Sequence, residues 1–398
     1  MQYRPVTGEE RLELMEMQAQ AFFFTYDREK YQKEMADGDP RQSGRGCFDE
    51  SGKLVAGFDL IPYDCWFDGS VVGMGGVGGV ASWPEHRDGG NVRGLMQSSL
   101  TELTERGDVF SFLYPFSYQY YRKFGYEVCN RITRVKAPTE PLRALRRPGH
   151  AERFIPGEGG TDPGPIVEVY NDFAQHYNLC VDREGWRWHG LLEVDPMKTR
   201  RQSYVWFGED GRPAAYVLFV GEGEPTADRM RVLEACWRSN DGLLGLLGFL
   251  GGFCSNLKTI SWELPPDVDA SLIWPSPYDV KTEVAYEGMC RVVNAQKALR
   301  MMAKPEGKGT VKVAVADSFL PANSGTYKID WDNGESRVRR VKDGSADLQC
   351  TEHALAQLVT GYLPFEQLRL RSDVTVNSKA EELGKLFVRK GIYLLDKF

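Results

Sequence analysis

The sequence has no excess of basic residues. Its 398 residues include 49 Lys and Arg against 56 Asp and Glu, which gives a formal net charge of −7. Nucleic acids and anionic membranes are bound by basic surfaces, so we expect neither of them as a partner. The charge suits a cationic partner such as an amine, although a solvated acidic surface is the commoner explanation of such a balance.

Patterns for disulfides, metals and membranes are also missing. The eight cysteines form no Cys-x-x-Cys pair, and the five histidines have no ligand spacing. We therefore expect reduced, mostly buried thiols and no metal site. The longest apolar run, residues 243–254, contains four glycines and is shorter than the ~20 residues that span a bilayer. The first ten residues contain no apolar run, so we expect no signal peptide and a cytoplasmic location.

The composition is that of a globular protein, with 42% hydrophobic and 26% charged residues. A prior of ~100–200 residues per domain predicts several domains. Residues 138–165 contain six prolines and five glycines, which is typical of a linker or a long surface loop. A second break lies at residues 264–277. Three blocks are therefore predicted, at residues 1–137, 150–286 and 288–398.

The glycine cluster at residues 73–79 has the formal spacing Gly-x-Gly-x-x-Gly. A dinucleotide-binding loop of that kind must open directly into a helix. Here the glycines run instead into Val80-Ala-Ser-Trp-Pro84, which is extended. We therefore reject a dinucleotide site and interpret the cluster as a flexible turn that leads into a strand.

The first two blocks share one order of elements, strand, turn, strand and helix, which suggests an internal duplication. In the second block, Asn240-Asp241 is the predicted N-cap of a glycine-rich helix. The third block is predicted to be a small α+β domain that contains a hairpin with its turn at Asn333-Gly334.

Two helix starts are predicted in the third block from side chains that cap helices. Thr351 is expected to cap an amphipathic helix that ends near Gly361. Ser378 and Glu381 have the spacing of a capping box, which predicts a helix beginning at this point.

The clearest functional signal lies at residues 80–96, where a strand ends at a proline and a basic, glycine-containing loop leads into an amphipathic helix. Backbone N–H groups at a helix start bind anions, and Gly90 lets a phosphate approach the main chain. Arg87 and Arg93 supply the charge that a pyrophosphate needs. An ordinary surface loop is the alternative interpretation.

The Pro84-x-x-Arg87-x-x-Gly90 arrangement resembles the acetyl-coenzyme A (acetyl-CoA) loop of the Gcn5-related N-acetyltransferases (GNAT). That loop has the form Arg/Gln-x-x-Gly-x-Gly/Ala, which the sequence matches except that Val92 replaces the last small residue. The resemblance implies acetyl-CoA as co-substrate, with main-chain groups of Val80 and Ser82 polarising the thioester carbonyl. The residues that it implies for binding acetyl-CoA are Val80, Ser82, Arg87, Asp88, Gly90, Val92 and Arg93.

Residues 120–126, Tyr-Tyr-Arg-Lys-Phe-Gly-Tyr, narrow the resemblance to the "enhanced intracellular survival" (Eis) branch of this superfamily. That branch has a GNAT domain, a second and degenerate GNAT domain, and a domain similar to sterol carrier protein. The three blocks have this order and these sizes. The implied fold class is thus α+β or α/β, with tandem GNAT domains followed by a sterol carrier protein-like α+β domain. The resemblance also implies a homo-oligomer, a hexamer.

Two catalytic roles follow from the resemblance. Tyr121 would act as the general acid that protonates the coenzyme A thiolate, and the terminal carboxylate of Phe398 would act as the general base toward the acceptor amine. Without the resemblance, a tyrosine in this aromatic segment would be interpreted as core filling and Phe398 as a solvated tail.

The sequence gives weaker evidence for the acceptor site. Asp27 and Asp396 are candidate anionic contacts for a polyamine-like substrate, although each could simply be an exposed acid. Trp186 and Trp188 could line the acceptor cavity or be structural. The second block lacks the Arg-x-x-Gly loop before its helix, so it is predicted to bind no cofactor.

The leading functional hypothesis is acetyl-CoA-dependent N-acetylation of a primary amine by direct attack in a ternary complex. The resemblance implies aminoglycosides, other polyamines or lysine side chains as acceptors. The alternative is a non-catalytic lipid carrier or scaffold protein with a relic acyltransferase domain.

Overall fold

The structure, a computed structural model, describes residues 1–35, 43–157, 160–342 and 345–398. It divides into two units. The first unit contains Met1–Asn130, Glu287–Lys390 and Asp396–Phe398, and the second contains Arg131–Tyr286 and Gly391–Leu395.

The helices and strands are numbered along the chain. The α-helices are α1 (Glu9–Phe22), α2 (Arg28–Met35), α3 (Asn91–Arg106), α4 (Tyr118–Arg122), α5 (Gly164–Ala174), α6 (Gly185–Leu192), α7 (Pro196–Thr199), α8 (Asn240–Gly251), α9 (Ala295–Met301), α10 (Glu352–Thr360), α11 (Phe365–Leu368) and α12 (Ala380–Leu386). The strands are β1 (Gln2–Pro5), β2 (Gly44–Phe48), β3 (Leu54–Phe67), β4 (Ser70–Ser82), β5 (Phe110–Leu113), β6 (Glu127–Val128), β7 (Arg131–Pro138), β8 (Gly149–Arg153), β9 (Val181–Asp182), β10 (Arg201–Gly208), β11 (Pro213–Glu222), β12 (Arg229–Trp237), β13 (Thr259–Leu264), β14 (Lys281–Tyr286), β15 (Met289–Val292), β16 (Lys308–Ala316), β17 (Gly325–Asp332), β18 (Glu335–Val341), β19 (Leu348–Thr351) and β20 (Val374–Val376).

The first sheet, in the first unit, has the strand order β1-β2-β3-β4-β5-β15-β6. Strand β4 runs parallel to β5 only from Met74 to Val77, where β5 ends, and then continues to Ser82. Strand β3 pairs with the other edge of β4 as far as Ser82. The edge of β4 on the β5 side is therefore left without a strand partner among the described residues from Gly78 to Ser82. We call this open edge the first fork.

The glycine cluster lies inside β4, so its interpretation as a flexible turn is wrong. Close neighbours explain why glycines occupy a strand here. A Cβ atom on Gly75 would clash with the Leu103 side chain, and one on Gly76 with the Tyr63 ring. The same observation agrees with the rejection of a dinucleotide loop, because these glycines do not open a helix.

Two strands do not pair within the block of the sequence to which they were assigned. Strand β7 falls in the block 1–137 but pairs with β13 and β14 in the second sheet. Strand β15 falls in the block 288–398 but pairs with β5 and β6 in the first sheet. The chain leaves the first sheet after Asn130 and returns beside it, where the Glu287 amide donates a 3.2 Å hydrogen bond to the Asn130 carbonyl oxygen.

The second sheet has the order β14-β7-β13-β12-β11-β10-β8. Strand β8 lies at its edge; it falls within the proline-rich stretch but contains no proline itself. Helix α8 follows β12, as α3 follows β4, but its N-cap is Ser239 and not Asn240-Asp241. The Ser239 hydroxyl accepts a 3.1 Å hydrogen bond from the Gly242 amide, which makes the helix start one residue earlier than predicted.

The third sheet has the order β18-β17-β16-β19-β20. Its predicted hairpin at Asn333-Gly334 is confirmed, and both turn residues have positive φ. Thr351 caps α10, also as predicted, and Gly361 ends that helix in the left-handed conformation.

The prediction of a capping box at Ser378 is wrong. The Ser378 hydroxyl donates a hydrogen bond to the Asp347 carboxylate instead of capping α12, and the N-cap residue is Lys379. An ionised carboxylate is a stronger partner for a hydroxyl than a neutral amide is, which explains the difference.

No helix in the described part of the chain is long and apolar enough to cross a membrane, and no group of three or more His, Cys, Asp or Glu side chains there could hold a metal ion. All eight cysteines are free and seven of them are buried, which confirms the expectation of mostly buried thiols.

Candidate active site

The loop after β4 leads directly into α3. Residues Pro84–His86 form one 3₁₀ turn, and α3 begins at Asn91. Gly90, at the N-cap position, has a φ of 72°, in the left-handed region that favours glycine. No side chain in the described part of the chain caps α3, so the amides of its first turn are available to an anion.

The side chains of the loop are arranged in keeping with an anion site. Arg87 is exposed, and no acidic side chain of the described residues pairs with it. Asp88 has a φ of 65°, which turns the chain toward Gly90. The Arg93 guanidinium lies 5.0 Å from the centre of the Phe319 ring. Val92, the one departure from the family pattern, packs toward the core beneath α3 and not into the loop.

The first fork contains a β-bulge. The register between β3 and β4 shifts after Gly78, and Gly79 has a φ of 61°. A bulge disrupts regular pairing and redirects the peptide groups beside it. The main-chain groups of Val80 and Ser82 thus lie on an open, locally distorted edge, and their contact with a thioester stays a prediction.

A buried polar network that the sequence analysis missed holds this bulge. The Gln18 Nε2 atom donates hydrogen bonds to the Gly79 carbonyl oxygen at 3.0 Å and to the Asp59 carboxylate at 2.9 Å. Asp59 also forms an ion pair with Arg11. Arg11 and Gln18 lie seven positions apart on the buried face of α1. That spacing of polar residues on an apolar face was a signal that could have revealed them.

Tyr121 lies in α4, which Ser117 caps. Its side chain is only 3% exposed and belongs to the cluster that contains Leu95 and Leu103 of α3. Burial raises the pKa of the Tyr121 phenol, and the neighbouring hydroxyls of Tyr120 and Tyr126 raise it further. The phenol is therefore protonated at neutral pH, which a proton donor requires.

The other buried tyrosine of the segment, Tyr126, has a structural role. Its hydroxyl oxygen is 2.7 Å from the Ser111 Oγ atom. The Ser111 hydroxyl in turn donates a 2.8 Å hydrogen bond to the Gly75 carbonyl oxygen. No such partner binds the Tyr121 hydroxyl among the described residues. Of the two, Tyr121 alone has a hydroxyl left for a substrate.

Phe398, the last residue of the sequence, lies against β4. Its ring packs at a tilt against the Tyr63 ring, with 4.7 Å between ring centres, and contacts the Tyr114 ring at 5.5 Å. Its backbone carbonyl carbon would be 3.4 Å from a Cβ atom on Gly78, the first residue of the first fork. The Tyr114 hydroxyl donates a 2.8 Å hydrogen bond to the Asp396 carbonyl oxygen, which also holds this segment.

Tyr121 and Phe398 lie on opposite faces of the first sheet. Successive strand residues point to opposite faces. Gly75 lies against Leu103 of α3, whereas Gly76 lies against Phe398. Since Tyr121 packs with α3, it lies on the α3 face and Phe398 on the other. The two predicted catalytic residues therefore approach the sheet from its two sides.

Gly76→Ala is expected to lower turnover by more than about 10-fold, because a Cβ atom there would lie 2.7 Å from the Phe398 ring and overpacking of this kind costs about 1–3 kcal/mol. The affinity for acetyl-CoA should not change. Steady-state kinetics and calorimetry on the variant would measure both quantities. Gly190→Ala is the matched control, since nothing lies within 4 Å of its added Cβ atom. Equal turnover in the two variants would contradict this account of Gly76.

The remaining predicted residues differ in their surroundings. The Asp27 carboxylate accepts a 3.0 Å hydrogen bond from the Lys30 amide and so caps α2. Asp396 lies in the segment that Tyr114 holds. Trp188 is buried and stacks edge-on against Tyr170, which favours a structural role. Trp186 donates its indole N–H to Glu184, the residue before α6.

Comparison with known families matches three parts of the chain. Residues 2–129 match an acetyltransferase (GNAT) domain, residues 179–292 match a second acetyltransferase (GNAT) domain, and residues 294–394 match a sterol carrier protein domain. The chain carries two GNAT domains and a sterol carrier protein domain. It is therefore an acetyltransferase of the GNAT type, and the predicted order of its domains is confirmed.

Solved structures share this fold over the whole chain. A GCN5-related N-acetyltransferase from Anabaena variabilis is 24% identical, with a TM-score of 0.87 and 100% coverage of both chains. A probable N-acyltransferase from Enterococcus faecalis is 24% identical, with a TM-score of 0.87 and coverage of 100% of this chain and 99% of that one. Eis1 from Mycobacterium abscessus is 19% identical, with a TM-score of 0.80 and 100% coverage of both. No curated protein shows significant sequence similarity to the chain.

Proposed function

We propose that this protein transfers the acetyl group of acetyl-CoA to a primary amine by direct attack in a ternary complex. The observation that carries the proposal is the arrangement at the first fork. Tyr121 lies on the α3 face of the sheet, while the backbone carbonyl carbon of Phe398 lies next to Gly78 on the other face. A thioester bound along the open edge of β4 would thus have a proton donor on one side and a carboxylate on the other.

The donor substrate is held by the loop and the fork. The first-turn amides of α3 and the Arg87 guanidinium bind the pyrophosphate, because amides at a helix start and a cation together favour a negative charge. The Val80 and Ser82 main-chain groups bind the pantetheine and polarise the thioester carbonyl. GNAT enzymes use acetyl-CoA, and the uncapped start of α3 fits that ligand.

The acid and the base divide the proton transfers. An alkylammonium group has a reference pKa of ~10.4 and must lose a proton before its nitrogen can attack. The Phe398 carboxylate accepts that proton, directly or through water, before the C–N bond forms. When the tetrahedral intermediate collapses, the C–S bond breaks, the Tyr121 hydroxyl protonates the leaving thiolate, and the nitrogen releases its second proton to water. The products are the acetamide and free coenzyme A; the terminal carboxylate then releases its proton to solvent, and the Tyr121 phenolate takes one up.

The acceptors are proposed to be polyamine-like, such as aminoglycosides, other polyamines or lysine side chains. Asp396, two residues before Phe398 in the chain, is proposed as the contact for a second ammonium group, and Asp27, which caps α2, is the other candidate. The assembly is proposed to be a homo-hexamer, which light scattering would measure.

The test of this function is release of free thiol from acetyl-CoA in the presence of a panel of amines. We expect thiol release that depends on the amine, together with an acetylated product identified by mass spectrometry. Absence of thiol release with every amine, together with no binding of coenzyme A by calorimetry, would overturn the proposal.

Arg87→Gln is expected to weaken acetyl-CoA binding by about 10- to 100-fold, since a hydrogen bond to a charged group contributes about 1.5–3 kcal/mol. Calorimetry would measure the dissociation constant. The matched control is Arg337→Gln, which removes an exposed arginine of β18 far along the chain from the loop. An equal affinity of the two variants for acetyl-CoA would show that Arg87 does not contact the ligand.

A further inference from the structure

The second GNAT domain has a fork of its own. Strand β12 runs parallel to β13 over only three residues, Arg229 to Arg231, opposite Thr259 to Ser261. Both strands then continue, β12 to Trp237 and β13 to Leu264, without pairing with each other. We call the gap between these two strand ends the second fork. In its position between the strands before and after a helix, it corresponds to the first fork.

A residue from the end of the chain occupies the second fork. The Tyr393 hydroxyl donates a 2.6 Å hydrogen bond to the carbonyl oxygen of Glu263, which lies on β13 beyond the last pair. Glu234 and Cys236, on the β12 side beyond the last pair, lie close enough to raise the pKa of Tyr393, after the larger effect of burial. Tyr393 is only 4% exposed. Its hydroxyl therefore lies at the β13 side of the second fork.

The residues around Tyr393 form a built site for this segment. The Asn178 amide donates a 2.9 Å hydrogen bond to the Gly391 carbonyl oxygen, and Asn178 also forms a parallel bridge with Ile392. The Tyr393 ring contacts the Tyr177 ring at 5.7 Å and the Phe173 ring at 6.1 Å. Ile392, Tyr393 and Leu394 are all at least 95% buried. Residues 391–395 are thus bound as a peptide by the second unit.

A buried ion pair closes the rest of the second fork. Arg183 binds Glu234 through two hydrogen bonds of 2.9 and 2.6 Å, and both side chains are nearly inaccessible. The Tyr216 hydroxyl also donates to Glu234. Separating such a pair to admit another ligand would leave a buried charge unpaired, which is strongly unfavourable. A coenzyme A thioester has no room where Tyr393 and this pair lie.

We propose that the second GNAT domain is a binding site for the chain's own segment Gly391–Leu395, and that it thereby positions Phe398 for catalysis. The segment is followed at once by Asp396–Phe398, which belongs to the first unit. Chain ends fray unless they are tied down, and anchoring of residue 393 restricts the five residues that follow it. Tyr393 is therefore a positioning residue, and this role rests on the proposed function of Phe398.

The experiment compares Tyr393→Ala with Tyr278→Ala, the matched control, because Tyr278 is a fully exposed tyrosine of the same unit. The first readout is the rate at which carboxypeptidase releases Phe398 from the full-length protein. We expect release to be at least about 10-fold faster in Tyr393→Ala and unchanged in the control. The second readout is the kinetics, where kcat should fall about 10-fold with the KM for acetyl-CoA unchanged.

Three further results make the test decisive. Tyr393→Phe keeps the ring in the second fork and loses one hydrogen bond, so it should restore most of the protection against carboxypeptidase, even if Tyr393→Ala fails to fold. Release of Phe398 from a folded Tyr393→Ala protein at the control rate would overturn the proposal. Faster release with unchanged kcat would support the anchoring of the tail and overturn the assignment of Phe398 as the base.

Discussion

Deletion of Phe398 should lower turnover by roughly 10²–10⁴-fold, which is the usual contribution of a general base. The deletion leaves Lys397 as the last residue, so the carboxylate moves back by one residue, about 3.3–3.6 Å of extended chain. It also removes the ring that packs against Tyr63. The affinity for acetyl-CoA should be unchanged, because the loop before α3 is not altered. Single-turnover kinetics and calorimetry would measure the two quantities.

Phe398→Leu is the informative comparison for this deletion. It keeps a carboxylate at position 398 and removes only the aromatic contacts with Tyr63 and Tyr114. We expect a loss of turnover of about 10-fold or less, since side-chain packing and not the base is affected. If the deletion and the substitution reduce turnover equally, the ring and not the carboxylate is what matters at this position.

Tyr121→Phe should also lower turnover by roughly 10²–10⁴-fold, the range for a lost general acid. The substitution removes one hydroxyl that has no hydrogen-bond partner among the described residues, so the melting temperature should stay close to that of the unmodified protein. Acetyl-CoA should bind with unchanged affinity. Thiol release under saturating substrates would measure the effect.

Tyr120→Phe is the matched control for Tyr121, because the two rings are neighbours 5.2 Å apart in α4 and each loses one oxygen atom. Its turnover should equal that of the unmodified protein. Since burial raises the pKa of Tyr121 above its usual value, the acid stays protonated as the pH rises from 7 to 10. We therefore expect no fall in kcat over this range. A fall in kcat that disappears in Tyr121→Phe would contradict the assignment.

Local features of the fold could be predicted from the sequence. The hairpin at Asn333-Gly334 and the cap at Thr351 depend on contacts within a few residues, and both are confirmed. The Arg87 to Gly90 loop depends on a strand end and a helix start that adjoin it. The predicted order of strand, loop and helix is confirmed, because β4 ends at Ser82 and α3 begins at Asn91.

Features that depend on distant residues could not be predicted in the same way. The glycines of β4 occupy a strand because Leu103 and Phe398 come close to it, and nothing near the cluster in the sequence reveals those neighbours. The hydroxyl of Ser378 binds Asp347, which is also distant in the sequence, so the failure of the capping box could not be foreseen. Strand β7 lies in the second sheet and β15 in the first, because the chain leaves the first sheet after Asn130 and returns to it at Glu287. These two residues are far apart in the sequence, so their contact could not be predicted from local patterns.

The candidate active site also combines local and distant features. The acetyl-CoA loop is one continuous stretch, but the predicted base lies at the other end of the sequence, and only the family resemblance connected the two. The polar network was missed because Asp59, which joins Arg11 to Gln18 of α1, lies on β3, and nothing near α1 in the sequence points to it. The site that binds residues 391–395 in the second GNAT domain was missed because the sequence of this segment does not indicate its binding partners.

The most direct test of the central claim is the turnover of a protein in which the Phe398 carboxylate is replaced by a carboxamide, prepared by ligation of a C-terminal peptide. This change keeps the ring, the chain length and the contacts with Tyr63 and Tyr114, and removes only the basic oxygen. We expect a loss of turnover of roughly 100-fold or more, with acetyl-CoA binding and melting temperature unchanged. Turnover equal to that of the same protein ligated with a free carboxylate would contradict it.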